Sequence, residues 1–387
     1  MASSESTVRR ALKLAAARLP KLFAPGTRLV VGFSGGQDST CLLHALSRPR
    51  MRLEIVAAHV DHALRPDSAE TANRAREAAA AMGVACEVRR VDVGEYRRGL
   101  PAWSVQQAAR AARYHVLSRV AQEHQAAALL VAHTADDQAE TVLLNLLRGS
   151  GLAGLAGMPL EEMLDPRRLG PPVAEPPAEA TEPSAAHRAE LFAKREASGV
   201  VLARPLLKVT RATTWAYCAE AGLTVIEDAS NQARDFTRNR VRLDLLPALE
   251  AYNPSIREVL ARTADLAGED VAALEAVVEA IYASVLRDVH SDSLELDLRL
   301  FQAEPRALQR RLLRRGLQSL LGNLADVRAA PIEDALDIIR SGAPSATYHL
   351  PHGVEMCISS ATILLRLYGK ARRPSRANTW DNGVPRL

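Results

Sequence analysis

Cysteine is sparse in this 387-residue chain: Cys41, Cys86, Cys218 and Cys357 are scattered, and no Cys-x-x-Cys pair occurs. That removes the usual signature of a zinc site, an iron–sulfur cluster or a persulfide relay, and leaves the thiols as small buried residues in a reducing compartment. Long hydrophobic runs are missing too, with nothing near the roughly 20 apolar residues a bilayer helix needs, so no membrane partner is expected. The segment Met1 to Arg10 lacks the apolar core of a secretory signal and leads into an amphipathic helix around Leu12 to Leu19, which makes a cytoplasmic location the expectation. Neither sign of charge dominates: 49 Lys and Arg against 45 Asp and Glu leave a net +4, which permits a nucleic-acid partner without demanding one. No internal repeat at a fixed period is present.

What is there begins at Leu29-Val30-Val31-Gly32-Phe33-Ser34-Gly35-Gly36-Gln37-Asp38-Ser39-Thr40. An apolar, β-branched strand runs into two glycines, and Asp38-Ser39-Thr40 then opens the helical run from Cys41 to Leu46. Backbone N–H groups in such a turn, with the helix N-terminus behind them, form an anion-binding nest. The loop has no Gly-Lys-Ser/Thr and is no dinucleotide fingerprint, so an ATP-handling loop of another kind is indicated.

The length suggests two domains, and a composition of 48% hydrophobic and 24% charged residues is that of folded proteins. Strand candidates recur at 28–33, 53–60, 85–91 and 127–132, separated by helical stretches at 68–82, 104–123 and 136–147. This alternation implies an α/β fold with a doubly wound, mostly parallel sheet, whose ligands bind beyond the carboxyl ends of the strands. From about 161 to 198 the chain is rich in Pro, Ala and Glu and reads as a mobile insertion. Strand character returns at Val200 to Leu207, before Thr210 caps another helix. Apolar spacing through Val259, Leu266, Val271, Leu274, Val278 and Val285 marks a long helix, expected to break near Gly268. Strands at 293–298 and 346–350 with helices at 306–321 and 331–341 make the remainder a smaller, helix-rich α+β domain. The expected division is 1–250, 251–369, and a basic, poorly ordered tail at 370–387 containing Arg372, Arg373 and Arg376.

Two further clusters fall at strand ends. His59-Val60-Asp61-His62-Ala63-Leu64-Arg65 gathers two imidazoles, a carboxylate and a guanidinium beside the Gly-rich loop, which favours a site over lone core histidines. Zinc is disfavoured there, because no second ligand pair at metal spacing follows. In Ala132-His133-Thr134-Ala135-Asp136-Asp137-Gln138-Ala139-Glu140-Thr141, Asp136 and Asp137 reach Glu140 at helical i+4 and i+3 spacing. N-terminal capping accounts for one acid; the others, with His133, suit Mg²⁺ held through one or two carboxylates beside phosphates.

The Ser-Gly-Gly-x-Asp-Ser loop resembles the PP-loop of N-type ATP pyrophosphatases. Together with His-Val-Asp-His-x-Leu-Arg, the His133 block, Leu-Leu-Arg-Gly-Ser-Gly-Leu-x-Gly-Leu-x-Gly-Met, Arg204-Pro205-Leu206-Leu207, Glu227 to Asn231, and Arg238-Asn239-Arg240-Val241-Arg242 with Leu245-Leu246-Pro247, it resembles the tRNA(Ile)-lysidine synthetase family over roughly 29–247, apart from the Pro-rich stretch. The resemblance implies a ligase that uses ATP and Mg²⁺ to join free L-lysine to C2 of the wobble cytidine in a CAU-anticodon isoleucine tRNA. In the implied sequence the C2 carbonyl oxygen attacks the α-phosphate, pyrophosphate leaves, and the lysine ε-amine displaces AMP.

It further implies that Ser34, Gly35, Gly36, Gln37, Asp38 and Ser39, with His59, Asp61 and His62, serve the nucleotide. Asp38, His133, Asp137 and Glu140 become the catalytic set, with Asp38 and Asp137 as Mg²⁺ ligands; the residues leave open which carboxylate binds or deprotonates lysine. Arg65, Arg113, Arg148, Asp228, Asn231, Arg238, Asn239 and Arg242 are expected at the tRNA or lysine. The arginines at 234, 238, 240 and 242 have the density of a phosphate-binding group, and Arg306, Arg310, Arg311, Arg314 and Arg315 form a weaker second group. A homodimer is an open expectation. A PP-loop tRNA thiolase is the nearest rival, disfavoured by the missing cysteine pair. A glutamine amidotransferase lacks its N-terminal cysteine, and a non-catalytic ATP-dependent RNA-binding protein does not explain the acids.

Overall fold

Leu29, Val30 and Val31 are fully buried because their strand, β1 (Arg28–Gly32), has hydrogen-bonded neighbours on both edges and helices on both faces, which is why the run is continuously apolar. The computed structural model describes residues 3–101, 103–164, 169, 173, 199–226, 237–322, 327–342 and 346–368. These divide into two units, Met1–Glu269 and Asp270–Leu387.

In the first unit, β1 pairs in parallel with β2 (Glu54–Asp61) and β4 (Ala128–Leu130), β2 with β3 (Cys86–Arg90), and β4 with β6 (Val200–Ala203). β5 (Glu161–Leu164) closes the far edge antiparallel to β6, giving the order β3-β2-β1-β4-β6-β5. Helices α1 (Ser4–Arg18), α2 (Gln37–Ser47), α3 (Ser68–Ala81), α4 (Val93–Arg98), α5 (Val105–Glu123), α6 (Ala135–Leu147) and the one-turn α7 (Leu152–Leu155) interleave with the strands. After β6 come α8 (Arg211–Glu220), α9 (Thr237–Arg240), a π-helical turn at Val241–Leu245, and α10 (Leu246–Glu250). The chain moves outward from β1 through β2 and β3, then returns to β1's other side with β4. The crevice beyond the ends of β1 and β4 is therefore the switch point where ligands of such sheets bind.

The expected doubly wound sheet is thus present. The opening of the presumed insertion is corrected: Glu161–Leu164 forms β5, because the main chain there has the free edge of β6 to pair with despite its charged sequence. Most of 165–198, and the tail from 369, lie outside the described residues.

A second correction concerns α11 (Ile256–Val285), which runs unbroken through Gly268. A side chain at Gly268 would meet open space, and one glycine costs only about 1 kcal/mol of helix propensity, too little to interrupt a 30-residue amphipathic helix. The second unit is a five-stranded antiparallel sheet, β7 (Leu286–Val289), β8 (Ser293–Asp297), β9 (Thr347–Leu350), β10 (Val354–Ile358) and β11 (Thr362–Leu367), in the order β7-β8-β11-β10-β9. Alternate residues Leu294, Leu296, Val354, Met356, Ile363 and Leu365 are buried in one core with residues of α12 (Leu298–Ala303), α13 (Arg306–Leu321) and α14 (Ala329–Ser341).

The second arginine group lies on α13 and staples this unit together. Arg306 bonds Glu333 at 2.9 Å and Asp337 at 2.8 Å, Arg310 also takes Glu333, and Arg311 and Arg315 take Glu275 and Glu279. Arg315 also stacks over Tyr282, 4.9 Å from the ring centroid. Arg314 turns toward the Val327 carbonyl at 3.4 Å.

Phe301 is fully buried at the centre of this core. Phe301→Ala is expected to cost about 3–5 kcal/mol. Calorimetric unfolding measures it, and a loss below about 1 kcal/mol would contradict the packing.

Candidate active site

After β1 the backbone turns at Gly35, whose φ is +80° and whose carbonyl accepts the Ile226 N–H at 2.9 Å. A β-carbon on Gly35 would stand 2.5 Å from Ile226 Cδ1, so glycine is needed both for conformation and for space. The two serines knit the loop: Ser34 N–H donates to Ser39 Oγ at 3.2 Å, Ser39 Oγ donates to the Gly36 carbonyl at 2.9 Å, and Gly36 N–H faces Ser34 Oγ at 3.3 Å. Gly36 is the N-cap of α2 and offers no side-chain cap, so the helix's first N–H groups are left for an anion. The Gln37 side chain ties α2 to α8, donating to the Arg211 carbonyl at 3.2 Å and reaching Thr214 Oγ1 at 3.4 Å, while its N–H is the first of those at the α2 N-terminus.

The cluster after β2 organises the wall beside this loop. His59 is buried and donates Nδ1–H to the Phe33 carbonyl at 2.9 Å; burial pushes its pKa down, so the ring is neutral. Asp61, also buried, accepts the N–H of Ala63 at 2.9 Å and stabilises the left-handed turn there, where φ is +51°. Arg113 Nε donates toward His62 Nε2 at 3.4 Å, Arg65 pairs with Asp67 at 3.3 Å, and Arg148 closes α6 as its C-cap.

Across the crevice, α6 starts with a capping box: Asp137 Oδ2 accepts from Thr134 N–H at 2.9 Å and Thr134 Oγ1 at 3.0 Å, while Thr134 Oγ1 accepts the Asp137 N–H. The capping reading of Asp137 is therefore correct for one oxygen. Its other oxygen, Oδ1, takes the Arg211 guanidinium. Glu140, one turn on, is completely buried and holds three arginines: Arg211 at 3.0 Å, Arg238 at 3.1 Å, and Arg242 through two bonds at 2.6 and 3.1 Å. Arg238 and Arg242 come from α9 and the adjoining π-helical turn, which precedes Pro247, a residue with no N–H to continue the α pattern. Both guanidinia turn inward to Glu140; Asn239 between them is buried.

Arg211 links this array to the loop. Its Nε lies 3.6 Å from Asp38 Oδ2, and Thr214, one turn along α8, donates to Asp38 Oδ1. Burial raises the Asp38 pKa, against the lowering effects of Thr214 and Arg211, and the nearby Asp137 charge adds to the rise. His133 Nδ1 accepts from Arg204 Nε at 3.3 Å, and its pKa lies well below the ordinary value because of burial and then the Arg110, Arg204, Arg238 and Arg113 charges. Arg204 is itself almost fully buried, bonded to the Pro159 carbonyl at 2.9 Å and to Glu162 of β5.

Asp38, Asp137 and Glu140 thus converge on Arg211, joined by Arg238 and Arg242, while His133 bonds Arg204. Asp228 and Asn231 lie outside the described residues. The reading of the sequence missed Arg211 and Thr214; the one available signal was an arginine at the first position after the capping Thr210, where a cation opposes the helix dipole. Among the described residues no group of three or more His, Cys, Asp or Glu could hold a metal ion. Asp38 and Asp137 both pair with Arg211, and their oxygens are hard donors of the kind Mg²⁺ takes beside phosphate and water.

This loop, uncapped helix and acid-bearing second helix at a switch point define an ATP-handling domain of the PP-loop class. The PP-loop domain family model described as ATP_bind_3 matches residues 5–249. A tRNA(Ile)-lysidine synthase of Geobacillus kaustophilus is 33% identical over 87% of this chain and 66% of its own length, and one of Dehalococcoides mccartyi 36% identical over 81% and 61%. One of Thermosynechococcus vestitus is 36% identical over 88% of this chain and 86% of its own length. The chain belongs to the tRNA(Ile)-lysidine synthase family, and it spans less than two thirds of the length of the first two of these relatives.

Gly35→Ala is expected to weaken Mg·ATP binding at least about tenfold, since a side chain in the left-handed region costs about 1–3 kcal/mol before the Ile226 clash. Titration calorimetry reads it, and an unchanged Kd would contradict the loop's role. Because the folded-state pKa of Asp38 is raised, its charged form is disfavoured by folding: the group favours the fold below its ordinary pKa, and that contribution is lost as pH rises through the raised value. Asp38→Asn should therefore match or exceed the wild type in thermal stability at pH 7 while losing turnover; a clear drop in Tm would contradict this account.

Proposed function

We propose that the chain ligates free L-lysine to C2 of the wobble cytidine of a CAU-anticodon isoleucine tRNA, with ATP converted to AMP and pyrophosphate. What supports this most is the meeting of the α2 N-terminus with Asp38, Asp137 and Glu140 at one switch point, in a chain of the lysidine synthase family.

In this reading the α2 N–H groups and the Ser34 and Ser39 hydroxyls bind phosphate oxygens, and Gly35 keeps the backbone close to them. Mg²⁺, held by Asp38 and Asp137, would offset the charge that builds on the phosphates. Arg211 lies between the same carboxylates and places a positive charge beside the phosphates until the lysine ammonium replaces it on Asp137, its bond to Glu140 keeping it within reach. The neutral His133 ring orients the activated base through hydrogen bonding. Asp137 Oδ1 receives the lysine ammonium in exchange for Arg211 and accepts its proton, so that a neutral amine reaches C2. Glu140 keeps the arginines that frame this exchange in place. Residues 1–250 serve as the catalytic domain and 251–369 bind tRNA, in a cytoplasmic enzyme. No helix among the described residues is long and apolar enough to cross a membrane.

The test is incubation with CAU-anticodon isoleucine tRNA, Mg·ATP and radiolabelled lysine. Lysine-dependent label in the tRNA with matching AMP release is expected; sulfur incorporation, or ATP binding without label, would overturn the reading. Asp137→Asn should abolish labelling and leave tRNA binding largely intact, and retained turnover would remove Asp137 from the lysine site.

A further inference from the structure

One carboxylate in the array does not face the crevice. Asp136 is almost fully buried, and each of its oxygens has a partner from a different element: Oδ2 accepts the main-chain N–H of Arg211 at 2.7 Å, and Oδ1 accepts from Arg257 Nη1 at 2.9 Å. Arg257, in the first turn of α11, is held in turn by Glu250 at the end of α10 through its Nε at 2.5 Å. The Ala135 N–H also donates to the Val209 carbonyl at 2.9 Å, so the start of α6 is bonded at two points to the segment that begins α8.

Arg211 is the first residue of α8, with Thr210 capping through its side chain to Thr213 N–H. A helix's first N–H groups have no partner within the helix. Asp136 satisfies the one on Arg211 itself, and this fixes where the Arg211 side chain leaves the main chain. From that origin the guanidinium reaches Asp38, Asp137 and Glu140. A shift of the origin by a fraction of an ångström would break that three-way fit, because the carboxylates stand on two other helices.

We propose that Asp136 and Arg257 are a positioning pair for Arg211: Asp136 clamps the Arg211 main chain, and Arg257, steadied by Glu250, neutralises and orients Asp136. Neither touches the reacting atoms. Glu250 and Arg257 place the start of α11 and the end of α10 within the same chain of bonds, so the segment after the π-helical turn contributes to the site without lining it. This inference builds on the reading of Arg211 as part of the reacting crevice.

The experiment compares Arg257→Ala, Arg257→Lys and Asp136→Asn in the whole 387-residue chain. Two readouts are used: the assigned ¹⁵Nε–H resonance of Arg211, which needs no turnover, and the kinetics of lysine transfer. The expected result is a shifted and broadened Arg211 signal in Arg257→Ala and Asp136→Asn. Their kcat should fall on the order of 10²-fold, as for a small misplacement of a reacting group, with KM for ATP little changed. Arg257→Lys should restore much of both, because it returns the positive charge to Asp136. An unmoved Arg211 resonance in a folded Arg257→Ala protein would overturn the proposal, and so would a uniform rise in KM at constant kcat. If wild-type protein transfers no lysine while Arg257→Ala still moves the Arg211 resonance, the functional reading fails and the positioning pair stands.

Discussion

The architecture of the crevice depends on one buried carboxylate. Glu140 has no contact with solvent, and burying an ionised group alone costs several kcal/mol. Arg211, Arg238 and Arg242 offset that cost by filling both its oxygens from three directions. In doing so they bring α6, α8 and the π-helical turn to one point. Because Arg211 also reaches Asp38, the charge on Glu140 connects the strand-β4 side of the switch point to the Gly-rich loop after β1.

The two halves of the site use different physics. On the loop side the groups are main-chain N–H donors and small hydroxyls, placed by Gly35, the serine bonds and the register of β1, and they suit a ligand of high negative charge. On the α6 side the groups are charged side chains of both signs, nearly balanced and mostly satisfied by each other. Such an array has little net attraction for an ion at rest, and it admits a new cation or anion by exchange with a partner already there.

Much of this was legible in the sequence. The parallel sheet, the loop and the α6 carboxylates follow from apolar runs ending at Gly35 and His133, because strand period and helix-capping chemistry are local. The unbroken α11 and the edge strand β5 were not, since one depends on a long amphipathic face outweighing Gly268 and the other on a free sheet edge. The roles of the arginines were the least legible. Arg238 and Arg242 look like a phosphate-binding group along the chain, and Arg306 to Arg315 like a second; in the fold the first pair closes on Glu140, while Arg306, Arg310, Arg311 and Arg315 of the second pair with Glu275, Glu279, Glu333 and Asp337. Charge density is visible in a sequence, but the partner that uses it up is not. Arg211 was missed for the same reason, since its meaning lies in three carboxylates far away along the chain.

The measurement that bears most directly on this account is made on Glu140→Gln, which keeps the shape of the side chain and removes its charge. Its stability is followed by chemical denaturation and its Mg·ATP affinity by calorimetry. With three guanidinia left around a neutral amide, the account predicts a loss of about 3–5 kcal/mol in stability, together with weakened nucleotide binding as Arg211 moves away from Asp38. A variant as stable as the wild type, binding Mg·ATP equally well, would show that the buried charge does not organise the site.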